Sequence, residues 1–509
     1  MTGRTTLIAL LALAALATAS VPARQAAAAA KLATPPVLLP VAADPTVSFK
    51  IAFRTGAQDD PAGREGLAYL TAQMLSEGAT KQHQYSEIMD LLFPMAAGYG
   101  VRVDKELTTL NGRVHKDNLS AYTTLLLDAV RSPAFEEADF KRLKQRARDY
   151  IEKTLRYSSD EELGKQTLYG SVFAGMPYGH LNVGTVAGLD AITIDDVKRF
   201  YAEHYTRDNV ILAVGGGYDA RLVDQLTTAL ATLPAGKPAA AASSTPKPLQ
   251  GRSVVLVKKP GQSTAISFGF PITAKRGERD FYALWLANSW LGEHRNSSSH
   301  LYQVIRGARG MNYGDYSYIE IFPEGGFRTM PPTNVPRRNQ LFEVWVRPVP
   351  NDQAQFALRA AMREVEKLSK DGLTADQFAL TQKFLSKYCL HFAETTSDRL
   401  GYALDDRIYG VAAPGNLANF RDIVPKLTLA EVNAAVKKYI RPDAMMIGIV
   451  SEKADQLADE LAAGKPSPLT YQTPKPKSVT DEDKDIEGYP LGLPRDRMTI
   501  VPVDLMFAK

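Results

Sequence analysis

Cysteine is nearly absent from this chain: Cys389 is the one thiol in 509 residues. That excludes an intrachain disulfide framework and any zinc site built on paired cysteines. Histidine is scarce too. Of the seven (His83, His115, His180, His204, His294, His300 and His391), none lies four residues from another. The helix-face histidine pair that chelates zinc is therefore missing, and surface or structural roles are expected for all seven. An excess of one charge is also lacking, because 60 Lys and Arg against 56 Asp and Glu leave a net +4. No basic stripe with interleaved aromatics appears, so a nucleic-acid partner is not indicated. "GGG" at 215–217 lacks the helix fingerprint of a phosphate loop and reads as a tight turn.

Long apolar runs are wanting as well. "LIALLALAALA" (7–17) is an 11-residue stretch, whereas a bilayer span needs about 20 residues. Behind Arg4, and followed by small-residue sites at 17–19 ("ATA") and 28–30 ("AAA"), it reads as an export signal over residues 1–30. No cysteine follows it to carry a lipid anchor. The expectation is an exported protein, periplasmic or secreted, with no membrane span after cleavage.

The length allows two to four domains at about 150 residues each, and the sequence repeats itself. "TVSFKIAFRTGA" (46–57) is echoed by "STAISFGFPITA" (263–274), both alternating as half-buried strands do. "FEEADFKRLKQ" (135–145) is echoed by "LTADQFALTQK" (373–383). "ITIDDVKRFYAEHYTRDNVILAVG" (192–215) is echoed by "LTLAEVNAAVKKYIRPDAMMIGIV" (427–450), each opening on a Thr three residues before an acid, as a capping box does. The organisation expected is one half over 31–232, a linker rich in Ala, Pro and Ser over 233–250, and a second half over 251–463. An extended tail rich in Pro and charge follows over 464–509. Strands and long helices without regular alternation point to an α+β fold, with helices packed on a mainly antiparallel sheet.

"GLAYLTAQMLSEGAT" (66–80) and "LYQVIRGARGMNYGDYSY" (301–318), set in these repeated halves with "PYGHLNVGTVAGLDAITIDDVKRFYAEHY" (177–205), resemble the insulinase-type zinc peptidases. That family includes pitrilysin and the mitochondrial processing peptidase. The resemblance implies two tandem half-domains of processing-peptidase type in a clamshell. It also implies an inverted His-x-x-Glu-His motif on the first helix, with two histidines binding zinc and the Glu acting as general base. Laid on this chain, the histidine positions fall on Tyr69 and Gln73 and the base on Ala72, none of which can serve. Near the family's third ligand, Asp149 and Glu152 remain in "ARDYIEKT" (147–154), too few to hold a catalytic zinc. No metal and no cofactor are expected in this chain.

The family's second contribution, an Arg and a Tyr seven positions apart, is matched by Arg306 and Tyr313, and Arg309 and Gly310 fit the wider pattern. An Arg can hold a peptide carbonyl, and a Tyr hydroxyl can donate to a developing oxyanion. The plainer alternative pairs Arg306 with a local acid and half-buries Tyr313, Tyr316 and Tyr318 in a sheet. Strand 98–114 is either an ordinary sheet strand or an edge that accepts an extended peptide. In two-chain members of the family, one chain carries the zinc motif and the other the Arg/Tyr pair. The resemblance therefore implies a non-catalytic subunit, partnered by a His-x-x-Glu-His sister chain that holds the zinc and acting on peptide substrates. The alternative is a peptide-binding or scaffold protein of the same fold with no role in proteolysis.

Overall fold

A computed structural model describes residues 31–236, 245–323 and 328–509. The expected export signal (1–30) and the centre of the expected linker (237–244) lie outside the described residues.

The first sheet has the strand order β1-β5-β2-β4-β3, formed by β1 (Val37–Pro40), β2 (Thr46–Phe53), β3 (Gly98–Val103), β4 (Thr108–His115) and β5 (Val210–Gly216). The second has the order β11-β6-β10-β7-β9-β8, formed by β6 (Arg252–Lys258), β7 (Ser263–Ile272), β8 (Asp315–Tyr318), β9 (Gln340–Pro350), β10 (Met445–Ser451) and β11 (Met498–Pro502). Among the described residues, parallel pairing is confined to β1 with β5, β6 with β10 and β6 with β11. The sheets are thus mixed and mainly antiparallel, with no closed barrel among the described residues.

β2 and β7 are not half-buried as their alternation predicts. Every residue of β2 after Thr46 is buried, Ser48 and Lys50 included. The cause is an exchange of helices between the halves. The Thr396–Tyr409 helix of the second half lies over β1, β2 and β5, where Leu400 and Leu404 pack on Val37, Ala52, Ile211 and Ala213. Reciprocally, the Asp160–Val172 helix of the first half lies over β7 and β10. Its approach is close enough that a Cβ on Gly448 would come within 2.9 Å of the Gly164 carbonyl oxygen. Each sheet therefore has both faces covered, one by its own helices and one by its sister's.

The tail is not extended. Residues 464–509 form a helix (Lys477–Glu487) and β11, then cross back to the first half. There Arg156 Nε and a terminal guanidinium nitrogen donate to the Met506 carbonyl at 2.9 and 2.7 Å. Val186 and Ala187 donate to the carbonyls of Phe507 and Ala508. No apolar period marks this segment, because single anchors such as Ile486 and long-range ion pairs such as Arg309–Asp483 at 2.8 Å hold it. Pairings across 174 residues leave no local signature.

Candidate functional site

The first helix of the "GLAYLTAQMLSEGAT" stretch spans Leu67–Glu77. Gly66 takes φ 107°, a left-handed value that favours glycine, and a Cβ there would meet the Val183 carbonyl oxygen at 2.6 Å. The Asp60 carboxylate accepts the Gly66 and Ala68 N–H groups, both at 2.7 Å, and so satisfies donors that a helix start leaves orphaned. Burial pushes that carboxyl up to about 8 against these two bonds.

At the metal positions the helix face is filled by the chain itself. Ala72 is 0% exposed. The Gln73 side-chain oxygen accepts from Arg146 at 2.9 Å, and Arg146 also pairs bidentately with Glu77. Glu152 is held by Arg148 at 3.2 Å, and Asp149 by Lys153 at 2.9 Å. A guanidinium thus lies against the face where a divalent cation would sit, and the nearby carboxylates are committed to cations of the chain. These residues do not fit a zinc ion. Among the described residues, no cluster of three or more His, Cys, Asp or Glu side chains could hold a metal. The histidines are engaged elsewhere: His294 with the Tyr318 hydroxyl at 2.5 Å, His300 with Glu364 at 2.6 Å, His391 with Glu394 at 2.6 Å.

Arg306 and Tyr313 come together, with the Arg306 guanidinium carbon 5.4 Å from the Tyr313 ring centroid. Arg306 stands on a π-helical turn, Tyr302–Gly307, and Tyr313 is 78% exposed. Among the described residues no carboxylate lies within 4 Å of Arg306, so its partner here is the tyrosine ring. Tyr316 and Tyr318 are different: both are buried in β8. Arg309 is a structural residue, buried and paired with Glu482 and Asp483 at 2.9 and 2.8 Å.

The two sequence-derived groups do not meet within the chain. Tyr69 lines a cavity of about 180 Å³ between the halves, together with Lys105, Tyr150, Lys165, Glu343 and Trp345. Arg306 and Tyr313 do not line it. Lys105 and Glu343 were not singled out in the sequence. The single strand expected over 98–114 is two, β3 and β4, and "DKE" at 104–106 lies in the turn between them, where all three residues are buried because the second half engages them. Arg337 Nε donates to Asp104 at 2.8 Å, and the Arg338 N–H donates to Glu106 at 2.6 Å. Burial, with the Arg337 charge beside it, pulls the Lys105 ammonium down to about 7. Burial likewise raises the Glu343 carboxyl to about 7.

This geometry defines a class: a peptidase-type scaffold of two exchanged halves whose own metal position is closed. The chain matches the insulinase (peptidase family M16) model over 37–173 and the peptidase M16 inactive-domain model over 191–385. It belongs to peptidase family M16, and is a non-catalytic member of it. An uncharacterized zinc protease of Streptomyces coelicolor is 24% identical over 435 residues, covering 82% of this chain and 88% of that protein. The non-peptidase homolog YmxG of Helicobacter pylori is 24% identical over 412 residues, covering 79% and 88%. The crystal structure of a peptidase M16 inactive domain from Pseudomonas fluorescens superposes with a TM-score of 0.71 at 20% identity, covering 86% of this chain and 96% of that one. At that identity the superposition speaks for the fold alone.

Proposed function

We propose that this chain is the non-catalytic subunit of an exported, heterodimeric M16-type zinc metallopeptidase, positioning peptide substrates for a sister chain with an intact His-x-x-Glu-His. The observation that carries this is the exposed Arg306–Tyr313 pair, set against a metal position filled by Arg146. An arginine held, among the described residues, by nothing but an outward-facing tyrosine ring is available to a group outside the chain. In the complex, Arg306 binds a carbonyl of the extended peptide, and the Tyr313 hydroxyl donates to the oxygen that gains charge during hydrolysis. Zinc belongs to the sister chain in this scheme. The apolar run and small-residue sites in residues 1–30 support export.

The test is a tagged pull-down from the native exported fraction, with mass spectrometry of the co-purified chains. A roughly equimolar His-x-x-Glu-His sister chain is expected, and Arg306→Ala lowers the peptidase rate of the assembled complex at least tenfold, ~1.4 kcal/mol of barrier. Recovery of the protein alone, or an assembled complex indifferent to Arg306→Ala, defeats the proposal and leaves a binding or scaffold protein.

A further inference from the structure

We propose that the cavity between the halves is a receptor for a small zwitterion, an α-amino acid or dipeptide, whose carboxylate meets Lys105 and whose ammonium meets Glu343. The basis is an imbalance of charge inside the protein. Of the charged groups on the cavity wall, Arg337 is neutralised by Asp104 at 2.8 Å. Lys165 is neutralised by Glu161 at 2.8 Å and Glu162 at 3.6 Å, and its ammonium lies 3.4 Å from the Trp345 ring centroid. Two groups remain.

Lys105, from the first half, is 2% exposed and, among the described residues, has no carboxylate oxygen within 4 Å. It spends one of its three donors on the His180 carbonyl. Glu343, from β9 of the second half, is 2% exposed and has no cationic nitrogen within 4 Å among the described residues. Its Oε1 has no hydrogen-bond partner among the described residues. Both line the same cavity, yet they do not pair with each other.

A buried charge without a partner costs several kcal/mol. That cost pushes Lys105 and Glu343 each toward the neutral form, and an unpaired base and an unpaired acid lining one cavity are explained if a third body bridges them and restores both charges. The cavity, about 180 Å³, is roughly ten times the size a single water needs. A plain anion satisfies Lys105 and leaves Glu343 unpaired, and a plain amine does the reverse. A zwitterion completes both. The aromatic wall of Tyr69, Tyr150 and Phe322 offers an apolar surface for its side chain. The site is complete within one chain, so it stands or falls independently of any sister subunit.

Isothermal titration of the purified full-length chain with L-phenylalanine, L-leucine and glycyl-L-phenylalanine tests it. One-to-one binding is expected for at least one of the three. Affinity drops at least about tenfold for N-acetyl-L-phenylalanine and L-phenylalaninamide, each lacking one charge, and in Lys105→Met and Glu343→Gln. Each variant removes a buried ionisable group that has no ion-pair partner among the described residues, so its melting temperature at neutral pH should equal or exceed that of the parent. Equal binding of the blocked analogues, unchanged affinity in both variants, or no binding of any of the three at millimolar concentration overturns the proposal.

Discussion

Among the described residues each half contains one π-helical turn, and the two have opposite fates. In the first half the turn spans Tyr150–Leu155, beside the filled metal position, and its Glu152 is tied to Arg148. In the second it spans Tyr302–Gly307, and its Arg306 turns outward onto an exposed tyrosine. Such turns concentrate at functional sites in general. Here one has been closed by the chain's own salt bridges, while the other keeps its chemistry at the surface. The contrast teaches that loss of a metal site need not loosen a scaffold, because vacated positions are refilled by a guanidinium, a buried alanine and a carboxamide.

The sharpest way to break the contrast is to attack the contacts that hold the halves together. Arg337→Ala removes the ion-pair partner of Asp104, which is 1% exposed, and should cost about 4 kcal/mol in urea unfolding because a buried carboxylate is left with the Asn182 amide at 3.1 Å and no paired guanidinium. A cost below about 1 kcal/mol would mean that the helix exchange alone fixes the halves. Restoring the general base tests the closed side directly. Ala72→Glu places a carboxylate at a 0% exposed position and should cost about 4 kcal/mol by the same measurement, since the Arg146 guanidinium on that face is already committed to Gln73 and Glu77. A neutral effect would show that the metal pocket is still open.

The repeated halves, the first helix and the Arg306–Tyr313 spacing were legible because each is written in local pattern: a shared motif, a cap, a fixed interval. The degeneracy of Tyr69, Ala72 and Gln73 was legible for the same reason. The helix exchange was not. Alternation in β2 reports only that polar residues occur at every second position, and cannot say that the Thr396–Tyr409 helix will bury them. The Lys105 and Glu343 walls were hidden similarly. The charged triplet at 104–106 reads as part of one alternating strand over 98–114, and its burial in the turn between β3 and β4 depends on Arg337 and Arg338, 232 to 233 residues away. Nor did the tail's composition disclose β11, whose hydrogen-bond partner is β6, nearly 250 residues earlier.

Glu343 gives a pH-resolved version of the same comparison. Burial raises its carboxyl from the ordinary 4.5 to about 7, so the folded state holds a proton that the unfolded chain releases between those values. Its cost to stability grows as pH rises through that window and is complete above about 7. Glu343→Gln should therefore gain on the parent by about 3 kcal/mol between pH 4 and pH 8, read from denaturation midpoints at each pH. A parallel pair of pH–stability curves would place Glu343 in contact with solvent.

The smallest expected effect sharpens the contrast most. If the outward turn is kept for a group outside the chain, Arg306→Ala and Tyr313→Phe should barely touch the fold. An exposed cation–π contact contributes about 0.5–1 kcal/mol at most, and Tyr313, 78% exposed, has little burial to lose. Both variants should unfold within about 0.5 kcal/mol of the parent, while the closed-side change at Ala72 costs several times more. A loss above about 2 kcal/mol at Arg306 would mean that its guanidinium is part of the architecture, as Arg309 is. The two turns would then differ only in which neighbours they bind, and the surface pair would lose its claim to a substrate. A silent Arg306→Ala instead leaves the guanidinium with no structural reason to be there, and recognition of another molecule is the role that remains for it.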